Sequence, residues 1–160
     1  MNNRIFVIAD THFGHTKILT FEQEFRPFSC IEEHDEALVD RWNSVVRAKD
    51  TVWHLGDVLF GFNTFPVLAK LNGVKRLVMG NHDRYPASRY LEYFNSLHGV
   101  ASRSGYILTH VPVHPNQFRR FKGNIHGHLH HNKLEDDRYK CVSAEHTNLT
   151  PILFEQVIGR

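Results

Sequence analysis

Cysteine and long hydrophobic runs are both scarce in this sequence. Its two cysteines, Cys30 and Cys141, are too few for a disulfide framework or for a zinc site built from thiolates. No apolar run approaches the roughly 20 residues that a helix needs to cross a bilayer, and the start of the chain lacks a signal-peptide pattern. We therefore expect a cytoplasmic protein that makes no contact with a membrane.

An excess of charge of one sign is also absent. The formal net charge of +2 is too small to indicate, by itself, a nucleic-acid or membrane partner. With 41% hydrophobic and 22% charged residues, the composition is that of an ordinary globular chain, and 160 residues fit a single domain over 1–160. Histidine is the abundant residue, with 13 copies, and the positions of these copies carry the information.

Apolar runs alternate with amphipathic segments in the first hundred residues. Short apolar runs at 5–9, 51–55 and 76–79 predict buried strands. Helical spacing of apolar residues predicts helices over 31–46, 65–72 and 87–97. The rest of the chain is typical of strands, at 106–109, 124–127, 139–144 and 152–158, with no helix between them. We expect a layered α/β sandwich with mixed sheets inside and helices outside.

Polar side chains with acid–base or metal-binding chemistry follow five of these predicted strands. The positions are Asp10-Thr11-His12, Gly56-Asp57, Gly80-Asn81-His82-Asp83, His110, and the tract Asn124–His131. Ligands of open α/β sheets bind at the carboxyl ends of the strands, so five strand ends are expected to meet at one site. Carboxylate, imidazole and carboxamide groups without thiolate match divalent Mn, Fe, Ni or Zn.

Each of these motifs is weak evidence when taken alone. A D-x-H triplet places two side chains on one face of a strand, but such triplets also occur without a metal. A Gly-Asp pair is usually a turn, and a lone histidine such as His110 is more often structural. The joint occurrence of the motifs, each after an apolar strand, indicates a functional site.

The order of the motifs resembles that of calcineurin-like metallophosphoesterases. The match runs from Asp10-Thr11-His12 to Gly127-His128-Leu129-His130 and includes all five motifs. The stretches 10–15, 26–28 and 55–57 are similar to those of a compact bacterial and phage subgroup. The sequence departs from the family pattern at Phe13. Many members have glycine directly after the D-x-H triplet, whereas here Phe13 comes before Gly14-His15, and the role of His15 is therefore unassigned. The resemblance implies a β-sandwich flanked by helices.

The resemblance also implies two divalent metal ions and a role for each motif residue. One ion would be held by Asp10, His12, Asp57 and His130, and Asp57 would bridge to a second ion held by Asn81, His110 and His128. The ions, for which we expect manganese to be most effective in vitro, would activate a shared water to attack phosphorus. His82 would protonate the leaving oxygen, and Asp83 would orient His82. The expected function is hydrolysis of phosphomonoesters or phosphodiesters.

Several other residues leave alternatives open. His15 either reaches the phosphate or shapes the first loop, Arg84 either contacts the phosphate or forms a salt bridge, and His114 is expected to line the substrate entrance. His54 and His126 are expected to support or pack around the site, whereas His34, His98, His131 and His146 are expected on the surface.

The segment 118–122 is basic and carries aromatic residues at both sides of two arginines. It is either a solvated loop or a lip for a nucleotide or single-stranded nucleic acid. The second reading would make the protein a nuclease or a cyclic-nucleotide phosphodiesterase. A non-catalytic binding protein on the same fold is the remaining alternative.

Overall fold

Two mixed β-sheets with helices at their outer faces form the structure, a computed structural model that describes residues 3–159. The first sheet has the order β4-β3-β2-β1-β9. Its strands are β1 (Ile5–Ile8), β2 (Thr51–His54), β3 (Val74–Val78), β4 (Ser96–His98) and β9 (Ile152–Leu153). The second sheet has the order β5-β6-β7-β8. Its strands are β5 (Ala101–Arg103), β6 (Tyr106–Leu108), β7 (Gly123–His126) and β8 (Tyr139–Cys141).

The helices are short apart from one. They are α1 (Ile18–Phe21), α2 (Ile31–Val45), α3 (Ala87–Leu91) and α4 (Phe154–Val157), with 3-10 helices at Phe62–Lys70 and Pro115–Gln117. None of the helices within residues 3–159 is long and apolar enough to cross a membrane. The mixed α/β sandwich expected from the sequence is therefore confirmed.

Strand β1 is buried on both of its faces, as its continuous apolar run predicted. Phe6 and Ile8 belong to a core that includes Leu38 of α2. The alternate residue Val7, with Ala9 just past the strand, belongs to a second core between the two sheets. Because strand side chains alternate between faces, one four-residue strand contributes to both cores.

Two predicted elements have a different structure. The helix expected over 87–97 ends at Leu91, and Ser96–His98 forms strand β4, which pairs in parallel with β3. The strand expected over 152–158 has only two residues before helix α4 begins. In the first case the pairing available from β3, rather than local periodicity, decides the secondary structure.

The predicted helix over 65–72 is a 3-10 helix, Phe62–Lys70, with Pro66 inside it. Proline has no backbone N–H and clashes with the preceding turn of an α-helix, which explains the tighter geometry.

The two sheets meet at the carboxyl end of β1. The N–H of Ala9 donates to the carbonyl of Val142 (2.9 Å), and the carbonyl of Ala9 accepts from the N–H of Ala144 (2.9 Å). Strands β1, β2 and β3 are mutually parallel, and so are β6 and β7, so that their carboxyl ends open onto one shared edge. The polar motifs of the sequence lie along this edge.

Candidate metal centre

Six of the seven predicted ligands form two clusters of three. The first cluster contains Asp10, His12 and His130, and the second contains Asp57, His110 and His128. In each cluster the candidate donor atoms lie within 4.8 Å of one another. Four separate loops therefore supply two compact sets of oxygen and nitrogen donors.

Asp57 lies between the clusters, and Asn81 belongs to the second. Oδ2 of Asp57 is 3.3 Å from Nε2 of His110 and 3.7 Å from Nε2 of His12. Oδ1 of Asn81 is 2.9 Å from Nε2 of His110 and 3.0 Å from Nδ1 of His128. The structure thus brings all seven predicted ligands together, with Asp57 between the two clusters.

The backbone at the candidate ligands is strained. Asp10, His12, Asp57, His128 and His130 have φ angles between 51° and 71°, in the left-handed region. Each such residue other than glycine costs on the order of 1–3 kcal/mol and persists only where its surroundings hold it. This concentration of strain at the strand ends is typical of a site at which donor groups are held in place for a ligand.

Glycines allow the loops to approach one another. Gly56 has a φ of 96°, and a Cβ added to it would lie 2.7 Å from Cα of Gly80 and 2.6 Å from Nδ1 of His110. A Cβ added to Gly80 would collide with the side chain of Asp57. The glycines before Asp57 and Asn81 are therefore required by the close packing of the two loops.

Two buried polar atoms of the first cluster lack hydrogen-bond partners among the described residues, namely Oδ1 of Asp10 and Nε2 of His12. The other oxygen of Asp10 accepts hydrogen bonds from the hydroxyl of Ser143 (2.7 Å) and the N–H of His128 (2.9 Å), which leave Oδ1 free. Buried polar atoms are seldom left unsatisfied in proteins. A divalent cation would satisfy both atoms, and the nitrogen and oxygen donor set fits such an ion.

The charges of the site favour a cation. Burial by itself raises the pKa of Asp10 and of Asp57, but the neighbouring imidazoles, chiefly His12 for Asp10 and His110 for Asp57, hold both pKa values below their usual range. Burial lowers the pKa of His110, whereas Asp57 and Asp10 raise it, to about 9 overall. Two ionised carboxylates thus lie at the centre of a buried group of imidazoles, where a metal would replace protons.

His15 lies against His12 in this structure. Nδ1 of His15 is 2.9 Å from Nδ1 of His12, and the His15 ring stacks on Phe60 at a centroid distance of 3.9 Å. Burial and the neighbouring His12 lower the pKa of His15 to about 4, so its ring is neutral at pH 7. A hydrogen bond between the two Nδ1 atoms leaves Nε2 of His12 facing the first cluster.

A buried ion pair that the sequence motifs do not indicate lies behind the first cluster. Arg26 is fully buried and donates to Glu145 through Nε (2.8 Å) and Nη2 (2.6 Å). Arg26 also donates to the backbone carbonyls of Asp10 (2.5 Å) and Thr11 (3.0 Å). Oε1 of Glu145 lies 3.1 Å from Nδ1 of His130. The pair therefore links the loop after β1 to a candidate ligand on the loop after β7.

The sequence signal for this pair was small. The stretch 26–28 is part of the resemblance, but the resemblance assigns no role to it, and Glu145 lies beyond the last motif. His34, for which the sequence predicts a surface position, is fully buried, with Nε2 accepting from Nη1 of Arg26 (3.0 Å). A charged residue at the centre of the molecule needs polar partners from distant segments, and these contacts are not visible in local periodicity.

Comparison with known proteins decides the family. The model of the calcineurin-like phosphoesterase family matches residues 3–155. The chain belongs to this family. An uncharacterized protein of Methanocaldococcus jannaschii is 33% identical over 97% of this chain and 89% of its own length. The gene 66 protein of Mycobacterium phage L5 is 38% identical over 52% of this chain and 41% of its own length.

A solved structure is similar to this chain over the whole fold. The crystal structure of a protein of unknown function from Aquifex aeolicus is similar with a TM-score of 0.78 and 26% sequence identity, covering 99% of each chain. Membership of the calcineurin-like phosphoesterases makes the protein a phosphoesterase, with His and Asp groups that can bind metal.

The two candidate catalytic residues of this phosphoesterase occupy different environments. His82 is exposed, its N–H donates to Oδ1 of Asp57 (2.9 Å), and its ring lies 6.2 Å from that of His12. Asp83 is buried, and its oxygens accept from the N–H groups of Asp57 (2.8 Å), Val58 (2.9 Å) and Gly80 (2.8 Å). The expectation that Asp83 orients His82 is therefore corrected, because its carboxylate holds the backbones of two loops together.

Two residues predicted to contact the substrate, Arg84 and His114, lie outside the two donor clusters. Nε of Arg84 donates to the carbonyl of Asn81 (2.9 Å), and this arginine is exposed on the turn that carries His82. His114 is exposed and accepts from the N–H of Asn116 (3.2 Å), which caps the 3-10 helix Pro115–Gln117. The structure shows a local structural role for His114 and no contact with the candidate ligands among the described residues.

The basic segment 118–122 does not border the metal centre. The N–H of Lys122 donates to the carbonyl of Gly105 (2.7 Å), and these residues immediately precede the parallel strands β7 and β6. Lys122 therefore lies at the amino end of the strands, whereas His110 and His128 lie past the carboxyl ends. Phe118 is buried against Tyr139. Of the two alternatives for this segment, the direction of the strands therefore favours a solvated loop over a substrate lip.

Proposed function

We propose that this phosphoesterase hydrolyses phosphomonoesters or phosphodiesters with two divalent ions held at the two donor clusters. The observation that carries the proposal is the pair of unsatisfied buried atoms, Oδ1 of Asp10 and Nε2 of His12, beside a carboxylate that faces both clusters. Asp10, His12, Asp57 and His130 would hold the first ion. Asp57, Asn81, His110 and His128 would hold the second, with manganese the expected ion in vitro.

The bound ions would neutralise the phosphate oxygens and lower the pKa of a water molecule that they share. The contribution of the chain itself is to hold the donor atoms in position. Asp57 is fixed by the N–H of His82 at one oxygen and faces His12 and His110 with the other. Arg26 and Glu145 hold the loop of Asp10 and the ring of His130 from behind. These contacts keep the donor atoms in place without the reorganisation that flexible side chains would need.

His82 is proposed as the general acid that protonates the leaving oxygen. Its ring is exposed at the mouth of the site, and its backbone is tied to Asp57, so the imidazole can meet a bound ester. Arg84, on the same turn, would contact the phosphate. Because a general acid contributes about 10²–10⁴-fold, His82→Ala should retain metal but lose this factor in turnover, most strongly for esters with poor leaving groups. Full turnover of an unactivated ester by that variant would exclude the assignment.

The function is tested with metal-stripped protein to which Mn, Ni, Zn or Mg is returned. The substrates are mono- and bis-nitrophenyl phosphate, which separate monoesterase from diesterase activity, and an oligonucleotide, which tests nuclease activity. We expect two divalent ions per chain and metal-stimulated hydrolysis of a small ester. Fewer than two ions together with no stimulated hydrolysis would refute the proposal.

A further inference from the structure

A row of rings runs from the first donor cluster to the protein surface. Phe60 stacks on His12 at a centroid distance of 5.0 Å and on His15 at 3.9 Å, and lies 5.1 Å from the ring of His82. Phe21 meets His15 edge-on at 6.3 Å. Phe21, the outermost ring, is 66% exposed. The wall beside the proposed phosphate site is therefore aromatic, and its outer ring is open to solvent.

A second exposed ring comes from the same short segment. Phe25 is 40% exposed and stacks on His131 at 5.3 Å, with an angle of only 5° between the ring planes. His131 directly follows the candidate ligand His130, and its Nδ1 is 2.7 Å from Oε2 of Glu22. Residues 21–25 thus place two phenylalanines next to histidines that adjoin two ligands of the first cluster.

The position of these rings distinguishes them from ordinary surface residues. Single exposed apolar side chains are common in soluble proteins. Here two such rings lie within five residues, and both contact the surroundings of one site. Phe62 is similarly exposed, at 52%, but it packs on Phe65 and Tyr85 instead of on the histidines.

The charges of the segment indicate a small ligand. Glu22 and Glu24 lie between the two phenylalanines, and Glu24 is exposed. Negative charge at this position disfavours a long polyanionic strand, whose binding depends on neutralising many phosphates. A single phosphoester with one flat organic group avoids this repulsion.

We propose that Phe21 and Phe25 form an aromatic subsite that stacks on a flat group of the substrate, either a nucleobase or a simple aryl ring. The inference rests on the proposed function, because the phosphate end of the same molecule would lie at the metal centre. Stacking of a base on an aromatic side chain is worth about 1–3 kcal/mol, which makes the affinity measurable with small probes.

The test uses phosphonates, which bind like phosphates but are not hydrolysed. Affinities of the metal-loaded protein for methylphosphonate, phenylphosphonate and the 5′-methylenephosphonate analogue of adenosine are measured by calorimetry. We expect phenylphosphonate to bind about 5- to 150-fold more tightly than methylphosphonate. Phe21→Ala or Phe25→Ala should remove most of this ratio and leave the affinity for methylphosphonate unchanged. Phe62→Ala, the matched control, should keep the ratio.

The outcomes separate the two proposals. Tighter binding of the adenosine analogue than of phenylphosphonate would support a nucleobase, and equal or weaker binding would support a simple aryl group. The aromatic subsite would be overturned, and the proposed function would stand, if the affinities for phenylphosphonate and methylphosphonate were nearly equal in the unmodified protein. The same holds if their ratio were unchanged in both phenylalanine variants. If no phosphonate binds and no ester is hydrolysed, the proposed function fails and the subsite fails with it.

Discussion

Replacement of Glu145 by glutamine tests whether the buried ion pair supports the metal centre. Oε1 of Glu145 accepts from Arg26 through Nε (2.8 Å) and Nη2 (2.6 Å) and lies 3.1 Å from Nδ1 of His130. Glutamine has nearly the same volume and keeps one oxygen acceptor. It removes the negative charge that offsets the fully buried Arg26. The substitution therefore changes charge with little change in packing.

Two effects of known size are expected. Removing one partner of a buried ion pair costs about 3–5 kcal/mol, and the retained acceptor places Glu145→Gln near the lower end, at about 3 kcal/mol. For a chain of this length each kcal/mol shifts the melting temperature by about 2–4 °C, so a fall of about 6–12 °C is expected. Loss of a carboxylate behind a ligating histidine typically lowers metal affinity about 10- to 100-fold.

Thermal unfolding in the presence of a chelator measures the first effect, and competition with a chromophoric chelator well below the melting temperature measures the second. Asp136→Asn is the matched control, because the pair of Asp136 and Arg138 has the same 2.6 Å separation but lies at the surface. We expect no measurable change in that variant, since exposed pairs contribute little. A destabilised Glu145→Gln protein with unchanged metal affinity would refute the positioning role of Glu145.

Two further substitutions test the close packing of the loops and the acid sensitivity of the fold. In a denaturant titration, Gly56→Ala should lose at least about 2 kcal/mol in the free energy of unfolding, because Gly56 has a positive φ and the added Cβ would lie 2.7 Å from Cα of Gly80. Gly99→Ala is the control and should show no change, because a Cβ at Gly99 would have no atom within 4 Å. Burial by itself raises the pKa of Asp50, but hydrogen bonds from Arg4 and a backbone N–H lower that pKa overall. A carboxyl group with a lowered pKa in the folded state stabilises above the unfolded value near 4 and loses this contribution as the pH falls through the folded value. Asp50→Asn should therefore melt below the unmodified protein at pH 6, with a gap that narrows below about pH 4, and a gap that widens in acid would contradict this reasoning.

The donor set could be predicted from the sequence because parallel strands share an edge. Asp10 and His12 follow β1, Asp57 follows β2, and His110 follows β6, and all four are close neighbours in the fold. The apolar runs and the residues after them predicted that these side chains meet at one edge, whereas the assignment of each residue as a ligand came from the resemblance to calcineurin-like metallophosphoesterases.

Residues that act from behind the ligands could not be predicted in this way. Arg26 and Glu145 are 119 positions apart, and neither has a local pattern that indicates the other. Asp83 follows His82 directly, and yet its carboxylate accepts backbone N–H groups from the loop of Asp57. In each case the partner of a buried charge is decided by which loops are packed together.

By itself the sequence determined which residues end the strands, and hence the nitrogen and oxygen chemistry gathered at one edge. Only the tertiary structure decided which of the other polar residues lie there. The segment 118–122 was a candidate by composition, but the parallel direction of β6 and β7 places its last residue at the opposite edge. Phe21 and Phe25 had no motif, but folding places them beside the site. The local sequence pattern determines which residues lie at the end of each strand, whereas long-range packing determines which other residues they contact.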